Sequence, residues 1–491
     1  MKFTIMKPVF QFLFLSFVFV SGILKGQNPV QQAIDALKKD PEMEHAAISF
    51  LVTDAGNGDR IAELNPSASL PTASTTKLFS TAVALEILGS EYRPSTRIYL
   101  FGVLKDGILN GDLVIRGGGD VSLGSRYFNE QGKEDSFLKT WCDTLKSLGV
   151  QQITGNIIAD GSAFGYEGVP EGWAWADIGN YYGAPPSGIS VYDNTLRFYF
   201  RTGGKPGSAA ELIGKWPEIP QLKFTNGIKA ADVTGDNSYI TGGPYAFERS
   251  ASGSLPLNAA RFEVKGSHPD PEWQLAYDLK RNLIREGVQI QGDAFGIRTK
   301  PNNVPNYETQ GRLVYTHYGK SIQEIANLTN LKSVNLFAEG LLCLVGYHLT
   351  GRGTTTEGIK QLEEHLSKRF SLHGLVIKDG SGLSRNNGIS AAHFIQLLKT
   401  MYQSPQFESY YKTLPVAGKS GTIASLCKGG SGEGRIHAKS GSMSKIRSYA
   451  GYVQSKSGKT LIFSITLNNF TCSGSAAAKK IENVLNAIAA Y

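Results

Sequence analysis

The sequence predicts an α+β fold: one antiparallel sheet built from both ends of the chain, covered by helices and interrupted by a large β-rich insertion. Three observations carry this. Near the start, "HAAISFLVTDAGNGDRIAEL" reads as strand, Gly-rich turn and strand, just ahead of a long apolar helix at residues 71–89. At the other end, "RIHAKSGS", "RSYAGYVQS" and "TLIFSITLNN" read as three strands, the last two joined by a turn at Gly458. The amphipathic helix "SAAAKKIENVLNAIAAY" then closes the chain, so both termini meet in one sheet.

Taken in order, residues 1–26 begin basic (Lys2, Lys7) and carry an apolar run from about Val9 to Val20. That run is too short to span a bilayer, so it reads as a secretory leader cleaved near Gly26. "PVQQAIDALKKD" follows as a short helix. Residues 27–99 and 310–491 are read as the main domain, and residues 100–309 as the inserted β-rich material. The insertion is rich in Gly and Pro and holds short alternating runs such as "GDLVIRGGGD", "QQITGNIIAD" and "TLRFYFRTGG". From "GKSIQEIANLTNLKSVNLFAEGLLCLVGYHL" the helical period returns.

The net charge is +8, and loss of Lys2, Lys7 and Lys25 with the leader leaves 47 basic against 42 acidic residues, or +5. This suits a protein that meets an acidic polymer and does not indicate nucleic acid. The four cysteines (Cys142, Cys343, Cys427 and Cys472) are widely scattered, and a chain this long builds its own cores without a disulfide scaffold. Cys343 is expected to be a small core residue.

The apolar helix contains an anomaly. "PTASTTKLFSTAVALEILG" is apolar nearly all round, yet Ser74 and Lys77 sit at its start. Positions i and i+3 share a helix face, so the hydroxyl and the amine can enter one pocket. A serine needs a base to become a nucleophile. Burial, helped by a second cation, lowers a lysine's pKa until its amine can serve as that base. Backbone N–H groups at the helix start would face a developing oxyanion. Ser-x-x-Lys alone is weak, for it recurs at Ser136, Ser409, Ser425 and Ser442, but only Ser74 heads a long apolar helix.

A second cation is therefore sought. Lys-Ser-Gly occurs three times. Lys456 falls in the exposed turn between the last strands. Lys419 lies in "TLPVAGKSGT", which fails as a phosphate loop because Thr413 stands where the first glycine is required. Lys439-Ser440-Gly441, at the end of a strand, is the choice: the strand end can hold the amine beside a pocket while Gly441 lets a ligand approach the backbone. For a Ser-x-Asn element the residues leave two candidates, Ser333-Val334-Asn335 and Ser384-Arg385-Asn386. Ser333 is expected to cap a buried helix.

These motifs resemble those of the active-site serine penicillin-recognising enzymes, with Ser in place of Thr in the last one. The whole mature chain resembles the low-molecular-mass class C penicillin-binding proteins, the D-alanyl-D-alanine carboxypeptidase/endopeptidase family. The stretches "PTASTTKLFSTAVALEILG", "GDLVIRGGGDVSLGS", "GWAWADIGNYYGAPPSGISVYDN", "SVNLFAEGLL", "DGSGLSRNN", "LPVAGKSGT" and "HAKSGSMSKIRSYAGYV" fall in that family's order. The resemblance implies a transpeptidase-like domain carrying the insertion, and it selects Ser333 and Asn335, the pair before "AE". It also implies a periplasmic DD-peptidase acting on peptidoglycan stem peptides and acylated by β-lactams, with no cofactor or metal.

In the roles so implied, Ser74 is the nucleophile and Lys77 its base. Ser333, helped by Lys439, relays the proton. Asn335 holds the substrate amide. Lys439 and Ser440 bind a terminal carboxylate, and the N–H groups of Ser74 and Ser442 form the oxyanion hole. A β-lactamase and a non-catalytic wall-binding protein are the rival readings, and homo-oligomerisation stays open. The remaining motifs are read as structural. Gly117–Asp120 is a tight turn, and His437 is a packing or rim residue. Trp173, Trp175, Tyr181 and Tyr182 are read as core of the insertion. No His-Glu-x-x-His pairing suggests a zinc peptidase.

Overall fold

The computed structural model describes Met1 and residues 28–303 and 305–491. The leader expected over residues 1–26 lies outside the described residues, Met1 apart. Among the described residues no helix is long and apolar enough to cross a membrane.

Both ends of the chain build one five-stranded antiparallel sheet. Its order is Ile436–Met443, Ile446–Gln454, Thr460–Asn468, Ala47–Asp54 and Arg60–Leu64. The two-residue period of a strand sorts side chains onto two faces. Phe50, Val52, Phe463, Ile465, Tyr449 and Val453 face the terminal helices Pro29–Lys38 and Gly474–Ala490 and form one dry core with them. The opposite face carries smaller groups such as Ser448, Ala450 and Ser464, all buried. There the Lys77–Leu88 and Asn335–Thr350 helices pack in a second core, with Phe79, Leu85, Phe337 and Leu341 fully buried. A helix between a sheet and other helices is apolar all round, which accounts for the composition of residues 77–85.

Further cores lie in and next to the insertion. Strands Ser95–Lys105, Ile108–Gly117 and Arg312–Tyr318 belong to a seven-stranded sheet, which packs on helices Ser136–Ser147 and Pro271–Arg285 around Trp141 and Leu279. A three-stranded and a four-stranded sheet share a smaller core around Phe198, Phe200 and Leu255. All four cysteines are free and buried, Cys343 being 1% exposed within the helical core.

Candidate active site

Ser74 lies in a 3₁₀ turn, Ala73–Thr76, that leads directly into the Lys77–Leu88 helix. Three residues per turn bring i and i+3 into line, closer than an α-helix would. Lys77 Nζ is 2.9 Å from Ser74 Oγ. Thr75 and Ser448 both donate to the carbonyl of Thr72, which ties the turn to the sheet.

Lys77 is fully buried, with two further partners: Asn335 Oδ1 at 2.6 Å and the Ser381 carbonyl at 2.7 Å. Both of these oxygens can only accept. A neutral amine has two N–H bonds and one lone pair. If the two carbonyl oxygens take the N–H bonds, the lone pair is left for the one partner that can donate, the Ser74 hydroxyl. Burial drives Lys77 down to about 7 against the weaker pull of Asp379 and Glu339. Glu339 is itself pushed up by burial and by Asp379. Its carboxylate accepts the backbone N–H groups of Gly380 and Ser381, and so positions the Ser381 carbonyl.

Lys439 projects from the edge strand onto the face that carries Ser74, as does Gly441. A Cβ at Gly441 would lie 2.2 Å from the Thr72 carbonyl and 3.1 Å from Ser74 N, so only glycine lets the strand approach the serine turn this closely. Lys439 Nζ donates to Ser333 Oγ at 3.0 Å and to the Ser440 carbonyl at 2.8 Å. Burial, and then repulsion from Lys77, hold it well below its ordinary value. Ser440 Oγ lies 2.7 Å from Thr422 Oγ1, and Ser442 is exposed at the rim.

Ser333 does not cap the helix as expected. The cap is Val334, and Ser333 precedes it with φ at +60°. The left-handed backbone turns the hydroxyl back toward Lys439, at a cost of about 1–2 kcal/mol for a residue with a Cβ. Ser333→Gly and Ser333→Ala both remove the hydroxyl but differ in that strain. The glycine protein is therefore expected to be more stable than the alanine protein by about 1 kcal/mol in urea denaturation.

Of the two Ser-x-Asn candidates, Ser333 and Asn335 reach the lysines. Ser384 instead donates its N–H to Asp379, in a loop wrapped around that buried carboxylate. Asp379 also accepts from Gly382 N, Asn387 Nδ2 and the indole of Trp173. Asp379→Asn would set an amide N–H against other donors. It should cost about 3 kcal/mol in urea denaturation, because buried donors would then face one another.

The cleft beside Ser74 holds about 420 Å³ and is walled by Asn335, Tyr182, Asp177, Arg385, Ser442 and Met443, among others. The D-Ala-D-Ala carboxypeptidase 3 (S13) family pattern matches residues 30–491. This chain belongs to that family. A D-alanyl-D-alanine carboxypeptidase of Actinomadura sp. (strain R39) is 29% identical over 453 residues, 89% of this chain and 81% of that protein. The D-alanyl-D-alanine carboxypeptidase DacB of Haemophilus influenzae is 23% identical over 453 residues, 89% of this chain and 88% of its own length. The crystal structure of penicillin binding protein 4 (dacB) from Haemophilus influenzae matches with a TM-score of 0.78 at 21% identity, covering 94% of this chain and 99% of that one. The fold is thus that of the penicillin-recognising serine enzymes, with a β-rich insertion.

A second expectation is corrected in this S13 chain. The aromatic cluster is not core of the insertion. Trp173 is buried against Leu383 and bonds to Asp379, Tyr182 and Tyr181 line the cleft, and Trp175 is 65% exposed. The insertion spends these rings on the boundary with the sheet domain. The Tyr182 carbonyl also accepts Asn335 Nδ2 at 2.8 Å. His437 packs flat against Tyr411.

Proposed function

We propose that the protein is a serine-type D-Ala-D-Ala carboxypeptidase, and also a DD-endopeptidase, acting on peptidoglycan stem peptides through a Ser74 acyl-enzyme. The single observation that carries this is a fully buried Lys77 amine 2.9 Å from Ser74 Oγ, with two carbonyl oxygens on its other side. In the proposed reaction Lys77 takes the Ser74 proton as Oγ attacks the carbonyl between two D-alanines. The oxyanion forms between the N–H groups of Ser74 and Ser442. Ser333, hydrogen-bonded to Lys439, hands a proton to the leaving amine. Asn335 orients the substrate amide, and Lys439 and Ser440 receive a terminal carboxylate where one exists. Water then cleaves the ester. These residues do the chemistry without help from a cofactor or metal.

The edge strand supports this reading. Its start is covered, because Val416 bridges His437. Its later half, from Lys439, borders the cleft, where an extended peptide can pair with it. A β-lactam should acylate the same serine; a second crystal structure of the Haemophilus protein is a complex with one. The reading also places the chain outside the cytoplasm, where its polymer lies.

The test is release of D-alanine from a peptide ending in D-Ala-D-Ala, and of monomers from a cross-linked dimer, both blocked by prior penicillin. Rapid turnover of penicillin would favour a β-lactamase. No release and no covalent adduct would favour a wall-binding protein.

A further inference from the structure

The groove continues beyond Ser74. Tyr181, Tyr182 and Asn335 line both the catalytic cleft and a narrow gap of about 110 Å³ between Ser333, Lys332 and Arg126. Arg126 and Tyr181 also line a wider pocket of about 460 Å³, which adds Arg197 and Lys265 from the insertion. The Tyr181 ring, 41% exposed, lies near two cations: the Arg126 guanidinium at 5.6 Å and the Lys265 amine at 5.2 Å from its centroid.

Counted with Lys332 at the gap, four cations face three carboxylates here. Asp193 and Glu134 are almost fully buried and already paired, with Arg126 at 3.5 Å and Arg197 at 2.7 Å. The remaining carboxylate, Glu263, sits 3.6 Å from Lys265 with both side chains about a third exposed. Among the described residues the buried Nε of Arg197 has no hydrogen-bond partner. Burial and the nearby guanidiniums of Arg126 and Arg197 outweigh Glu263 and lower Lys265 below its ordinary value. An anion entering the pocket would relieve that crowding.

Which part of a substrate could reach it follows from position. Ser333 is the group assigned to the leaving amine, so whatever is attached to that amine departs past Ser333, into the gap toward Arg126. For a terminal D-alanine this is one small residue. For a cross-link it is a whole second peptide.

We propose that this pocket is a subsite for a carboxylate carried by the second peptide of a cross-link, on the amine side of the bond that is cut. It rests on the reading of Ser74 as nucleophile and Ser333 as relay. It goes further in giving the insertion a part in substrate choice: a guanidinium and an amine flanking an aromatic ring hold a carboxylate by charge-assisted hydrogen bonds, and leave a free chain end indifferent to the site.

Lys265→Gln is the primary test, because Lys265 is half-buried and its removal strands no buried carboxylate. Arg126→Gln is the parallel variant, with thermal unfolding to verify its fold. Three substrates separate the possibilities: a cross-linked peptide dimer, the same dimer with the second peptide's carboxylates amidated, and a short peptide ending in D-Ala-D-Ala. The expected result is a loss of about ten-fold in kcat/KM for Lys265→Gln on the free dimer, with the short peptide changed by less than about two-fold. Amidation should cost the wild type a similar factor and the variant almost nothing, since the interaction can be removed only once. A variant that matches the wild type on the free dimer, or loses equally on all three substrates, overturns the proposal and leaves the role of Ser74 standing. A wild type that cleaves none of them overturns both.

Discussion

A Ser74→Ala protein takes no covalent label from a fluorescent penicillin, whereas the wild type gives a stable band on a denaturing gel. The loss should be complete, because the proposed adduct is an ester on Ser74 Oγ and, among the described residues, no second hydroxyl is hydrogen-bonded to Lys77 Nζ. The fold should survive. Ser74 is only partly buried, and Lys77 Nζ keeps Asn335 Oδ1 and the Ser381 carbonyl as partners. The variant should stay within about 1 kcal/mol of wild type in urea denaturation, the worth of one ordinary hydrogen bond. A band of undiminished intensity in the variant would move the nucleophile elsewhere.

Lys77→Met should slow acylation by about 10²–10⁴-fold, the usual contribution of a positioned general base. Methionine nearly matches the lysine stem in length, so the site in the helical core stays filled. The exchange removes an amine that is costly to bury, and it leaves two carbonyl oxygens without their donor. These effects oppose one another, so thermal unfolding should change little while stopped-flow acylation collapses. Equal rates in variant and wild type would show that Lys77 only packs.

Parts of this site could be read from the sequence because they depend on local periodicity. Ser74 and Lys77 are three apart, and both an α and a 3₁₀ turn place such a pair together. Lys439 and Gly441 alternate with Ala438 and Ser440 along a strand, which puts the first pair on one face. The interior place of Ala47–Asp54 and Thr460–Asn468 in the sheet also follows from the pattern, since both are apolar runs that bury both faces.

Other parts could not be read. The residues alone did not separate Ser333 from Ser384, because the difference is which loop reaches across to Lys77 and Lys439, a matter of tertiary packing. The Ser381 and Tyr182 carbonyls leave no trace in side-chain identity, and they meet their partners across 304 and 153 residues of sequence. The sequence places Trp173 in a core because large aromatic residues usually belong to one. Its indole N–H instead reaches Asp379, 206 residues away, and fastens the insertion to the loop behind Lys77. The positive φ of Ser333 was equally hidden, as nothing in "LKSVNLF" calls for a left-handed residue.

The account depends on Lys77 holding an uncharged amine against Ser74 near neutral pH. Its pKa is lowered from 10.5 to about 7, so the basic form grows as pH rises through that value. The most direct measurement is the second-order rate of acylation by a penicillin as a function of pH, in wild type and Lys77→Met. A wild-type rate that climbs through an apparent pKa near 7, with no such limb in the variant, is the predicted result. A flat profile from pH 5 to 9, or a limb that persists in Lys77→Met, would contradict it.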